Sequence, residues 1–205
     1  MELVSYLRSS AFISGQVSFF FYLTLLLLVS AGRLIELRHS RRNQTLLTLQ
    51  GGSKSPEPRY RWMVALHAAI LIGAPLEVLF LRRPLVPWLA ASALALFIAA
   101  NATRWWVIRT LGPRWNVQVI SASRLGVVTA AGPYKWVRHP NYTAVFIEML
   151  ALPLVHTAYL VAVLGAALHI IVLRNRIVLE ESVLMQDPSW KAAFANRPRF
   201  FPGIV

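Results

Sequence analysis

Five apolar runs, separated by short charged stretches, organise this chain: residues 11–31, 62–81, 85–108, 141–157 and 158–173. A membrane helix needs roughly 20 apolar residues, and each run is close to that length, the last two being short. None of them alternates with the period of a strand, and lipid offers no partner to open backbone. Each run therefore predicts a transmembrane helix. The last two are almost continuous and predict a tight helical hairpin, with Pro153 in its first arm and His156-Thr157 near its tip. Gly51-Gly52-Ser53 and Pro56-Glu57-Pro58 break the first long connection. Residues 112–134 predict a loop with short apolar pieces. The tail begins helical at Glu180, is interrupted at Asp187-Pro188 and ends in Pro198-Arg199-Phe200-Phe201-Pro202.

The cations sharpen this picture. Eighteen of the 21 Lys and Arg residues fall between runs one and two, between runs three and four, or after run five; only Arg8, Arg82 and Arg83 fall on the other side. Positive charge collects on the cytoplasmic side of membrane proteins. The split predicts an outside N-terminus, five spans and a cytoplasmic C-terminus. The first run could be read as a cleaved signal peptide ending at Val29-Ser30-Ala31. It is longer than the usual ~7–15 apolar residues and arginines follow at once, so a retained helix is expected.

Composition agrees. The chain is 57% apolar and 14% charged, against about 45–50% and about 25% in soluble domains. A net charge of +13 would suit nucleic acid, but the cations sit in the breaks between apolar runs, where they encode topology. Nucleic acid is therefore not an expected partner. The absence of cysteine excludes disulfides, thiolate metal sites and a cysteine nucleophile. No other cluster has metal-ligand spacing, so no metal is expected.

Two polar clusters stand at the mouths of the last two apolar runs. The first is Gly132-Pro133-Tyr134-Lys135-Trp136-Val137-Arg138-His139-Pro140-Asn141-Tyr142. Pro140 suits the first turn of a helix, which places the helix start at about His139. Unpaired backbone N–H groups there, with Arg138 and His139, would make a receptor for a carboxylate or phosphate. The second cluster is Arg174, Arg176, Glu180 and Glu181, where spacing of four puts Arg176 and Glu180 on one helix face. The glutamates can hold a cation or bond ribose hydroxyls. Anion receptors beside acidic groups suit S-adenosylmethionine, a zwitterion with an added sulfonium charge. Each residue also has a plainer reading. Arg138 could be a snorkelling interfacial arginine, His139 a helix cap, and Glu180-Glu181 solvated helix surface.

The stretch 125–142, with Val127-Val128-Thr129, Gly132-Pro133-Tyr134 and Arg138-His139-Pro140-Asn141-Tyr142, resembles the isoprenylcysteine carboxyl methyltransferase family. Arg176, Glu180-Glu181 and the Pro198-to-Pro202 tail are similar to the family's carboxy-terminal pattern. The resemblance implies an integral-membrane S-adenosylmethionine-dependent methyltransferase in one domain over 1–205, with 1–110 supplying N-terminal helices and 111–205 the cofactor-binding region. It implies that Tyr134, Arg138, His139, Pro140, Tyr142, Glu180 and Glu181 bind the cofactor and that Arg104, Trp115, Asn116 and Arg176 face the acceptor's polar head. Arg176 could stabilise an oxyanion there. His139, Glu180 or Glu181 could serve as base. Arg33, Glu36, Asn43, Gly51-Gly52, Met63-Val64 with His67, Glu77, Arg104 with Trp106, and Leu111-Gly112 with Trp115-Asn116 are similar to a bacterial branch associated with type III polyketide synthases. That branch implies O-methylation of an alkylpyrone or alkylresorcinol hydroxyl, with the lipid tail entering from the bilayer. Arg59-Tyr60, Lys54 and His169 depart from it, standing where a His-Tyr pair, an acidic residue and Asn are expected. Carboxyl methylation of isoprenylcysteine or another lipid carboxylate, and phospholipid N-methylation, are the alternatives within the class. A small transporter or a scaffold are the alternatives outside it.

The remaining polar residues read structurally. Glu77 and Glu148 lie inside apolar runs and must pair, for instance with Arg104, or act. His67 and His169 read as packing groups. Trp62, Trp88, Trp105 and Trp106 fit an interfacial belt, whereas Trp115 lies in a loop and is a better site candidate.

Overall fold

The computed structural model describes residues 2–57, 59–118, 120–121 and 130–200, with side chains from residue 15 onward. Val127-Val128-Thr129, Pro58 and Phe201-Pro202 of the motifs above lie outside the described residues. Among the described residues six α-helices carry the fold: α1 Glu2–Leu49, α2 Tyr60–Phe80, α3 Pro87–Leu111, α4 Pro140–Leu154, α5 Tyr159–Leu184 and α6 Pro188–Phe194. An antiparallel pair of two-residue strands, β1 Ser53–Lys54 and β2 Ile120–Ser121, ties the first connection to the third. The chain is all-α in class, as its apolar runs predict.

Four helices among the described residues are long and apolar enough to cross a membrane: Gly15–Leu49, Tyr60–Phe80, Pro87–Arg114 and Tyr159–Leu184. Large apolar side chains on them face outward, among them Phe20, Phe21, Leu27, Leu28, Ile72, Leu96, Ile98, Val163, Leu164 and Ile171. Such a surface is stable only against lipid, and the protein is an integral membrane protein. The fifth expected span differs. Helix α4 has 15 residues, about 22 Å of rise, against roughly 30 Å of hydrocarbon. It ends at Leu154 because the chain must turn at once: Thr157 takes a positive φ of 56° and donates its Oγ1 to Pro84 O at 2.7 Å.

Helix α1 also departs from expectation. The expected loop from Arg33 is helical to Leu49, since residues 33–49 contain neither proline nor glycine. Helix α4 packs between α3 and α5, and α2 lies along α5. Gly165 lets α2 and α5 approach; a Cβ there would stand 2.9 Å from Ile70 Cδ1. Tyr22, Leu26, Ala74, Val78, Phe97, Ala151 and Leu152 form the main core at the end of the bundle near the α4–α5 turn.

The intramembrane carboxylates are paired, though not as the sequence suggests. Glu77 bonds Arg83 at 2.9 Å and accepts from the backbone N–H groups of Leu160 and Val161 at 3.1 and 2.8 Å, capping α5. Glu148 takes Arg33 at 2.6 Å, and Arg33 also bonds Glu36. Arg104 bonds Glu36 at 2.6 Å, so it is the partner of neither Glu77 nor Glu148. Two arginines and two glutamates thus knit α1, α3 and α4 into a charge-balanced group. Balance of this kind is required before ions can be kept from water.

Candidate active site

Local geometry at the third connection aims the first polar cluster. Gly132 takes a positive φ of 55°, and its α-carbon presses on α3: a Cβ would stand 2.4 Å from Thr110 Oγ1. A one-turn 3-10 helix, Gly132–Lys135, then turns Tyr134 inward beside Phe194, ring centroids 6.3 Å apart. Pro140 opens α4 behind it. Arg197 donates to Tyr134 O, holding the tail against this turn.

The carboxy-terminal tail changes how the mouth of α4 is used. The backbone N–H of Arg138 donates to Pro198 O and that of His139 to Arg199 O, each at 2.9 Å. The backbone anion receptor expected at this helix start is therefore closed by two tail carbonyls. Beneath the tail, Glu181 gathers three partners: Arg138 at 3.3 Å, His139 Nε2 at 3.0 Å and Arg199 at 2.7 Å. The two sequence clusters do meet, through a clasp that fixes the orientation of Arg138 and His139.

A cavity of about 290 Å³ opens on the inner side of this clasp. Small-molecule sites have volumes of about 300–1,000 Å³, and this one falls at the lower edge. Tyr134, Arg138, His139, Tyr142, Glu180, Arg176, Arg104, Trp115 and Asn116, all expected site residues, are in its wall. Pro140 and Glu181 are not. Pro140 is spent in starting the helix, and Glu181 supports the wall from behind. Along α5 the wall runs from His169 to Leu184, about 22 Å by helical rise.

The cavity has two chemically different halves. At the mouth stand Tyr134, Arg138, His139, Glu180, Asp187, Trp190 and Phe194. Trp190 and Phe194 stack at 5.2 Å, and Asp187 caps α6 by accepting from Ser189 N at 2.8 Å. Burial, reinforced by the charge of Glu180, pushes the Tyr134 phenol well above its usual range, so it remains protonated. In the depth stand Met63, His67, Val145, His169, Val172 and Leu173, with Arg104 to one side.

Arg176 divides the halves. Its Nε donates to Tyr142 OH at 2.7 Å, its Nη1 pairs with Glu57 at 3.2 Å, and its Nη2 donates to Val117 O. Tyr142 passes its own proton to a hydrogen bond with Glu180. Arg176 and Glu180 are thus joined through Tyr142 rather than directly, and one guanidinium fastens α4, α5 and the two connections of the bundle.

Several buried polar atoms of the wall have no partner among the described residues: Arg138 Nε, Asn141 Oδ1, Trp115 Nε1, Asn116 Oδ1 and His169 Nδ1. Buried polar groups are normally bonded, and an orphan costs about 1–3 kcal/mol. Donors and acceptors concentrated around one cavity suit a polar ligand. The set matches S-adenosylmethionine in chemistry: a guanidinium for the carboxylate, carboxylates for the ammonium and ribose, and an aromatic group for a planar base.

Sequence reading missed the depth of the cavity and the closing wall. His67 and His169, read as packing groups, are in the wall, as are Asp187, Trp190 and Phe194. The seven-residue step from His169 to Arg176, two helical turns on one face of α5, was an available signal.

The fold and site together are those of an integral-membrane helical bundle with a cavity lined by polar and apolar residues. Residues 93–186 match the model of the isoprenylcysteine carboxyl methyltransferase family. The chain is also similar to the uncharacterized protein YpbQ of Bacillus subtilis (strain 168), 30% identical over 166 residues that cover 81% of this chain and 97% of that one. The chain belongs to the isoprenylcysteine carboxyl methyltransferase family. The family is one of S-adenosylmethionine-dependent membrane methyltransferases acting on lipid-like substrates.

Proposed function

We propose that this protein is an S-adenosylmethionine-dependent O-methyltransferase whose acceptor is a lipid with a hydroxylated head, such as an alkylpyrone or alkylresorcinol. The observation that carries the reading is the cavity's division by Arg176 and Tyr142 into a polar, aromatic mouth and a mostly apolar depth. A charged, water-soluble donor belongs in the mouth; a lipidic acceptor belongs in the depth. The cationic end of the bundle is taken as cytoplasmic, where the donor is made, by the distribution of arginines.

The cofactor supplies an electrophilic methyl group on sulfonium. The protein supplies position. Arg138 holds the carboxylate, with Glu181 and the tail keeping its guanidinium in place. Glu180 and Asp187 receive the ammonium and ribose hydroxyls, and Trp190 and Phe194 receive the adenine. Arg176 and Tyr142 set the boundary at which donor and acceptor meet. Alignment of this kind can supply about 7–11 kcal/mol of a two-substrate barrier. The clasped tail and the wall residues Trp115 and Asn116 keep water from the meeting point.

Arg138→Ala and Glu180→Ala, made separately and purified in detergent, test the assignment with labelled cofactor and a long-chain alkylresorcinol. Both variants are expected to lose methyl transfer while keeping the helical circular dichroism of the parent. Parent-like turnover in both discards the assignment.

A further inference from the structure

The residues first considered as a base are all engaged. His139 and Glu181 bond each other, Glu181 carries two arginines besides, and Glu180 takes the Tyr142 hydroxyl. The depth of the cavity holds a second set. His67 on α2 and His169 on α5 meet edge to face, ring centroids 5.8 Å apart. His67 Nδ1 lies 2.7 Å from Met63 O. A carbonyl only accepts, so that nitrogen carries the proton and Nε2 keeps the lone pair of the uncharged ring. His169 is 1% exposed, its ring stacks on Phe146 at 6.1 Å, and its Nδ1 has no partner among the described residues. Val145, Val172 and Leu173 surround the pair in the wall. An unpartnered imidazole nitrogen among valines and leucines is costly to keep unless a ligand completes it. An imidazole with a lone pair accepts from a hydroxyl, and offers nothing comparable to an ionised carboxylate.

We infer that His67 and His169 form the acceptor-head site for a dihydroxylated lipid head, His67 Nε2 accepting from one hydroxyl and His169 accepting from the other and receiving its proton as the methyl is transferred. The inference rests on the proposed methyltransferase reading and adds the residues that select the acceptor. The acceptor's O–H bond breaks and its proton passes to His169. The same oxygen forms the new bond to the methyl, and the pair that held the methyl stays on sulfur. The products are a methyl ether, an uncharged thioether and a protonated imidazole, which returns its proton to water when the products leave. His67 is fixed by its bond to Met63 O whereas His169 keeps an unbonded nitrogen, so His169 is the proton's destination and His67 the orienting partner.

Equilibrium binding tests this apart from turnover. Full-length protein in detergent, without cofactor, is titrated with a long-chain alkylresorcinol and with a fatty acid of the same chain length, followed by tryptophan fluorescence. S-adenosylmethionine binding is measured separately by calorimetry. His67→Leu and His169→Leu are each expected to weaken the resorcinol about tenfold, the loss of one hydrogen bond. Fatty-acid and S-adenosylmethionine affinities should stay within twofold of the parent. His169→Leu should also slow single-turnover methylation at least a hundredfold. Parent-like resorcinol binding in both variants, or equal weakening of resorcinol and fatty acid, overturns the inference and leaves the donor site untouched. Absence of S-adenosylmethionine binding in the parent overturns the reading beneath it.

Discussion

Arg176 is where fold and site depend on one side chain, so its replacement is the sharpest structural perturbation. Its side chain is 11% exposed and that of Glu57 is 4% exposed, so their pair is buried. Arg176→Ala removes the bonds to Tyr142 OH and Val117 O and leaves Glu57 without this partner. Removing one member of a buried pair costs about 3–5 kcal/mol, because the other charge stays behind. In a chain of this length each 1 kcal/mol shifts the melting temperature by about 2–4 °C. The product is a fall of about 6–20 °C, read by thermal unfolding of the detergent-solubilised protein. Arg176→Lys keeps the charge but not the planar fork that serves three partners at once, and is expected to fall between parent and Ala. A melting temperature for Arg176→Ala within 2 °C of the parent would refute the reasoning.

Two further outcomes follow from the packing. Gly132→Ala puts a Cβ against Thr110 and onto a left-handed backbone, and should cost about 1–3 kcal/mol in thermal unfolding; adding Thr110→Ala should recover part of the loss, and no recovery would contradict the clash. Glu77→Gln removes the charge that caps α5 and pairs Arg83, and should cost about 2–3 kcal/mol while S-adenosylmethionine affinity stays unchanged, since Glu77 lies at the other end of the bundle. A calorimetric affinity lowered in step with stability would count against that separation.

The apolar runs made the bundle legible, because lipid permits so few backbone conformations. The pairing of Arg138 with Glu181 was legible in kind, since each closes an apolar run on the same side. What stayed hidden depended on rotation about helix axes. A sequence does not say that Arg104 turns to Glu36 while Glu77 turns to Arg83. His67 and His169 lie 102 positions apart on different helices, and only the seating of α2 against α5 makes them neighbours. Helix α1 outran its apolar segment because helix propensity, not hydropathy, decides its end at Leu49, just before the left-handed Gly51. The tail's closure of the α4 mouth is a backbone event that no side-chain pattern announces.

Calorimetric titration of the purified parent protein with S-adenosylmethionine tests the central claim most directly. The account predicts saturable binding at one site per chain, lost in Arg138→Ala. Absence of heat at high protein concentration, or binding that Arg138→Ala leaves unchanged, would contradict it.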